Sequence, residues 1–135
     1  MSEWIMLLPS VVFSRIKGEF SEVIKTEYEM SNSNFSTTDS SNKKAVFPFV
    51  YVHLLPAMEN AFDLERTTVN GGLFTFQIDV YDNQTQYRTR EVMGEIVRIM
   101  KRMRFDIVAM PETETKDTHR ITARFRRDIS KNDVL

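Results

Sequence analysis

A chain of 135 residues is long enough for one domain with a single core and too short for two. Hydrophobic residues at 41% and charged residues at 27% fit a soluble globular protein, and a net charge of −1 removes any global attraction to nucleic acid or an anionic membrane. There is no cysteine, which excludes disulfides, thiolate metal sites, iron–sulfur clusters and cysteine nucleophiles.

The N-terminal stretch MSEWIMLLPS carries an apolar patch from Trp4 to Leu8. It has no basic start and no proper cleavage site, Pro9 interrupts it, and no apolar run approaches the ~20 residues of a membrane span. A soluble domain, intracellular or particle-borne, is expected. Ser10 can cap a helix just after Pro9. Phe13, Ile16, Phe20, Val23 and Ile24 follow at three- and four-residue spacing, with Arg15, Lys17, Glu19, Glu22 and Lys25 mostly between them. That pattern predicts an amphipathic helix over roughly 10–26, with Gly18 as a mild weakness.

Residues 31–44, SNSNFSTTDSSNKK, are rich in Ser, Thr, Asn and Asp, and Phe35 is their only large apolar side chain. Such a segment cannot bury enough surface to offset its ordering entropy. It is expected to be a long polar loop, either an idle mobile one or one that orders against a partner in an assembled particle with Phe35 as the buried anchor. FPFVYVHLLP follows at 47–56, with Val50, Val52 and Leu54 on one face and Phe49, Tyr51 and His53 on the other. Two apolar faces predict a central strand, and Pro48 and Pro56 suit its ends. A hydrogen-bonded structural role for His53 outweighs a ligand role, because no second histidine stands at metal spacing.

Within residues 57–69, AFDLERTTV at 61–69 reads as a strand with poor alternation, and Asn70-Gly71-Gly72 as a tight turn, giving a hairpin about Asn70–Gly71. FTFQIDVYDN at 74–83 is a strand with Phe74, Phe76, Ile78 and Val80 on one face and Gln77 and Asp79 on the other. Asp82-Asn83 breaks it. A helix over about 85–104 then buries Val92, Met93, Ile96, Ile99, Met100 and Met103. FDIVAM at 105–110 is a short strand, PETETKD at 111–117 a polar connection, and HRITARFRR a closing strand with Ile121, Ala123 and Phe125 inward. The order predicts a single α+β domain over 1–135: a mainly antiparallel sheet with two helices packed on one face.

No catalytic constellation is present in the sequence, and no enzyme, metal or cofactor is expected. His53 and His119 stand outside any acid–base motif, and Asp79 with Asp82 could hold a divalent ion only weakly. The outward residues of the last strand, Arg120, Arg124 and Arg126, form a basic stripe. With the second helix it suits a phosphate patch, but no stacking aromatics are expected to interleave with Arg120, Arg124 and Arg126. A solvated edge or a protein interface, where arginine is at home, is favoured.

FPFVYVHLLP, NGGLFTFQIDVYDN, REVMGEIVRIMKRMRF and HRITARFRR, in that order, resemble the tail-completion or tail-terminator proteins of long-tailed bacteriophages. The matching residues are Phe47-Pro48, Gln77-Ile78-Asp79-Val80-Tyr81, Met103-Arg104-Phe105, and Arg120 with Ala123-Arg124-Phe125, across about residues 10–128. The resemblance implies a structural virion protein in the tail neck, assembled in the host cytoplasm. Six copies would form a homohexameric ring on the head-proximal end of the tail tube. The ring would end tube polymerisation and join tail to head, against the tail tube protein and a head-closure or connector protein. Phage DNA would only pass through the channel. The interface residues expected on this reading are Phe35, Gln77, Asp79, Arg120, Arg124 and Arg126. The alternatives are another neck component, a head-closure protein or tube subunit, or a phosphate- or nucleic-acid-binding domain.

Overall fold

The computed structural model describes residues 3–37, 46–55, 71–109, 112–114, 118–130 and 135. Helix α1 spans Glu3–Glu19 and α2 spans Glu22–Glu27. A 3-10 turn at Asn32–Asn34 leads into strand β1, Phe35–Ser36. Strands β2 (Phe49–Leu54) and β3 (Gly71–Asp82) precede helix α3 (Gln86–Arg102). Strands β4 (Asp106–Ala109), β5 (Glu112–Glu114) and β6 (His119–Ser130) complete the described elements. They form one sheet in the order β1-β2-β3-β6-β4, with β5 also paired to β6. Only the β1–β2 pair is parallel. The chain is α+β, as its sequence pattern predicts.

The strand faces follow from the period of two. Phe74, Phe76, Ile78 and Val80 of β3 are buried beside Ile121, Ala123 and Phe125 of β6. Val92, Met93, Ile96, Ile99 and Met100 of α3, and Met103 after it, cover them from the same side. Thr85 caps α3 by accepting a hydrogen bond from the Arg88 amide at 3.2 Å. Asp82, fully buried, accepts from the amides of Gln84 and Thr85, both at 3.0 Å, and so shapes the turn from strand to helix.

Helix α1 departs from its predicted span. It begins at Glu3 and carries Pro9 inside it. Proline has no N–H for the carbonyl four residues earlier. The helix persists because Leu8, Val12, Ile16 and Phe20 form one ridge in the core. The chain breaks at Phe20–Ser21, and Ser21 takes extended dihedrals before α2. That break turns Ile24 and Tyr28 toward the core and leaves Val23 74% exposed, against the expectation that Val23 packs inward. Arg98 of α3 donates to the Glu19 carbonyl at 3.0 Å and Arg102 approaches the Glu19 carboxylate at 3.5 Å, tying the end of α1 to α3.

The expected long loop is corrected in its first half. Phe35 is buried in this chain's own core, edge-on to Phe20 with ring centroids 5.4 Å apart. Asn34, also buried, accepts from the Ser31 amide at 2.9 Å and donates to the Pro48 carbonyl at 2.7 Å. Two hydrogen bonds and one ring supply locally what composition does not. Residues 38–44 lie outside the described residues, as do residues 57–69 of the predicted hairpin. The polar connection at 111–117 contains a strand, β5, because β6 offers a free edge beyond β4.

Candidate functional site

The face of the sheet opposite the helices is built from the odd positions of β2 and β3 and the even positions of β6. Their register sets the neighbours: Tyr81 stands opposite Phe49 and Arg120, Asp79 opposite Tyr51 and Thr122, and Gln77 opposite His53 and Arg124. Arg126 follows Arg124 on the same face, opposite Thr75. Gln77 and Asp79 share the outer face with the arginine stripe, so two of the four stretches quoted for the resemblance lie side by side.

Asp79 is the centre of this face. Although it points away from the helices it is only 2% exposed, because its neighbours close over it. Its carboxylate accepts from Arg120 Nη2 at 2.9 Å and from Thr122 Oγ1 at 2.5 Å. Gln77 Nε2 lies 3.3 Å from it and His53 Nε2 lies 3.4 Å from it. Burial pushes the Asp79 carboxyl upward, but the Thr122 and Arg120 hydrogen bonds and the Arg120 charge outweigh it. The group is held below its ordinary value and carries its charge. Burial opposes the charge on Arg120 as well, and the Asp79 carboxylate more than offsets it.

The other oxygen-bearing end of Gln77 accepts from Arg124 Nε at 3.1 Å. A relay therefore runs from Asp79 through the Gln77 amide to the Nε of Arg124. Arg124 and Arg126 are both exposed. Arg126 has no hydrogen bond or ion pair among the described residues, although Asp106 stands opposite it in register. Aromatic rings lie on the same face: Tyr81 is under the Arg120 guanidinium at 5.5 Å, and Tyr51 stacks on His53 at 4.4 Å. Along β6 no aromatics interleave with the arginines; across the strands they do.

On the helix side a second surface is acidic. Glu22 and Glu27 of α2 and Glu29 just beyond it are exposed, as is Val23. Tyr28 donates to Glu91 of α3 at 2.8 Å and lies under Arg88 at 4.6 Å. Burial and that bond to Glu91 push the Tyr28 hydroxyl well above its usual value. Tyr87 is 66% exposed, and its hydroxyl is raised by its hydrogen bond to Glu91 and by the charge there.

Of the six residues named from sequence, Gln77, Asp79, Arg120, Arg124 and Arg126 share one surface, and Phe35 is in the core instead. Thr122, Tyr51, Tyr81 and His53 belong to that surface and were not singled out for it. Their outward direction is legible from alternation, but not the register that brings them to Asp79. Asp79 and Asp82 point to opposite faces and serve a network and a turn respectively. Among the described residues no three acidic or histidine side chains are gathered to hold a metal ion. No described helix is long and apolar enough to cross a membrane. No protein-family model matches the chain, and no curated protein sequence matches it.

Proposed function

We propose that this chain is a structural virion protein of the tail-terminator type. Six copies form a ring on the head-proximal end of the tail tube, stop its polymerisation and present a surface to the head connector. DNA passes through the channel and no cofactor takes part. One observation supports this reading best. The residues of two of the four family-like motifs, Gln77 and Asp79 on β3 with Arg120 and Arg124 on β6, form a single hydrogen-bonded surface. The buried Asp79 carboxylate is hydrogen-bonded within the chain, and Arg124, held by its Nε, is exposed. That suits a protein docking face.

A reconstruction of the phage neck tests the proposal. The expected result is one ring of six copies between tube and connector, and particles lacking the protein should carry overlong tubes without heads. A monomer, or a long helical stack, overturns it. The rings of Tyr51 and Tyr81 beside the arginines support a second reading, a single-stranded nucleic-acid platform. Tight, salt-dependent oligonucleotide binding by a monomer would favour that one.

A further inference from the structure

The outer sheet face turns Arg124 and Arg126 to solvent, and the α2 edge of the helix layer turns Glu22, Glu27 and Glu29 to solvent, while α3 of that layer exposes Arg90, Arg98, Lys101 and Arg102. Arg124 spends only its Nε, on Gln77, and Arg126 has no partner among the described residues. Glu27 and Glu29 have no ion pair among the described residues either, and Glu22 makes only a 3.6 Å contact to Lys25 with its side chain 85% exposed. Val23, 74% exposed, follows Glu22 on α2 and stands four residues before Glu27. The two patches belong to opposite layers of the domain: β6 forms the outer sheet face, and α2 packs with α1 and α3 through Lys25, Ile24 and Tyr28.

We propose that Arg124 and Arg126 of one copy dock on the α2 edge of the next copy, against Glu27 and Glu29, with Val23 as the apolar centre of the contact. This rests on the ring reading above and names its subunit interface. Arginine forks prefer carboxylates, and Arg124 is already held by its Nε on Gln77. A two-fold dimer through the sheet face would bring Arg124 and Arg126 of both copies to one seam with the exposed Asp106 and Asp128, whereas Glu27 and Glu29 of the α2 edge have no ion pair among the described residues. Charge therefore favours a head-to-tail contact, in which one patch meets the other. Repeated around an axis, such a contact closes a ring; repeated without closure it gives a filament.

Charge exchange tests the contact. One variant carries Arg124→Glu with Arg126→Glu; a second carries Glu27→Lys with Glu29→Lys. Each is measured by native mass over a concentration series, with circular dichroism as the check on folding. The wild type is expected to form the ring, and each variant alone to remain at monomer mass, because both of its patches then bear one sign. Mixed in equal parts, the two variants should regain the wild-type mass with equal numbers of each chain, since every contact again joins opposite charges. A chain carrying all four substitutions should likewise assemble alone.

A wild type that stays monomeric at every concentration sinks the ring reading and the contact with it. A wild-type ring that either variant forms equally well sinks the contact alone. So do folded variants that stay apart when mixed. Should a charge-reversed chain not fold, Arg124→Gln with Arg126→Gln replaces it. Weakened assembly then supports the contact and unchanged assembly overturns it. Oligonucleotide binding that Arg124→Glu with Arg126→Glu abolishes while the ring mass is untouched assigns this face to nucleic acid instead.

Discussion

Arg120 reaches the Asp79 carboxylate at 2.9 Å while its guanidinium lies 5.5 Å over the Tyr81 ring, so one cation joins β6 to β3 twice. The pair is asymmetric in exposure. Asp79 is almost fully buried, whereas the Arg120 side chain keeps 39% of its exposure. Removing the carboxylate therefore leaves a cation that water can still reach, and the loss is that of the hydrogen bonds to a charged acceptor. Asp79→Asn should lower stability by about 2 kcal/mol. Urea unfolding checks this, and a midpoint equal to that of the wild type would remove Asp79 from the centre of the face.

The same carboxylate sets a pH dependence. Its native pKa lies below the ordinary carboxylate value, so in acid the unfolded chain takes up the proton first. The stabilisation from Asp79 is thus complete above the unfolded value of about 4 and is lost as pH falls through the native one. Wild-type stability should fall with acid across that window, and Asp79→Asn should fall less steeply. Parallel acid profiles for the two proteins would contradict the assignment.

Arg124 and Arg126 are exposed and anchor nothing in the core. Replacing both with Ser should change stability by only about half a kcal/mol while weakening assembly strongly. Thermal melts beside sedimentation of the same samples separate the two effects. Equal losses of folding and assembly would make these residues structural.

Gly94 lies in the middle of α3, on its exposed side, and a Cβ placed there meets nothing within 4 Å. Gly94→Ala should then stabilise the protein by about 0.5–1 kcal/mol, because alanine costs less backbone entropy in a helix. A raised melting temperature is the expected reading; a lowered one would mean that this face of α3 is covered in the protein as it occurs in solution.

The elements with strong periodicity were legible in the sequence. The core stripe of α3 and the inward faces of β3 and β6 are buried residue for residue as alternation and helical spacing require. What failed, failed where a tertiary contact overrode a local rule. Pro9 reads as a helix boundary, yet the Leu8–Phe20 ridge carries α1 through it. Val23 fits the helical stripe only if the helix runs straight past Ser21, and it does not. Outward placement of Gln77, Asp79 and the arginines needs only the period of two. Their union around Asp79 needs the β3–β6 register, a long-range pairing that neither strand encodes alone.

Phe35 gives the sharpest contrast between composition and contact. Its surroundings in sequence are polar, which argues for a segment without a core of its own. In the fold it reaches a core already formed by others, edge-on to Phe20, and Phe35–Ser36 add a parallel strand to the sheet beside Val50–Tyr51. Asn34 holds the approach through Ser31 and Pro48. Phe35→Ala should therefore destabilise the isolated protein by about 3 kcal/mol, from lost burial and the cavity left behind. Deleting residues 33–42 should cost at least as much, since it removes both the ring and the Asn34 bridge. Chemical unfolding of the isolated protein decides the matter. If Phe35→Ala unfolds with the wild-type midpoint, the ring is not part of the core in solution, and an anchor for a partner becomes the better account of it.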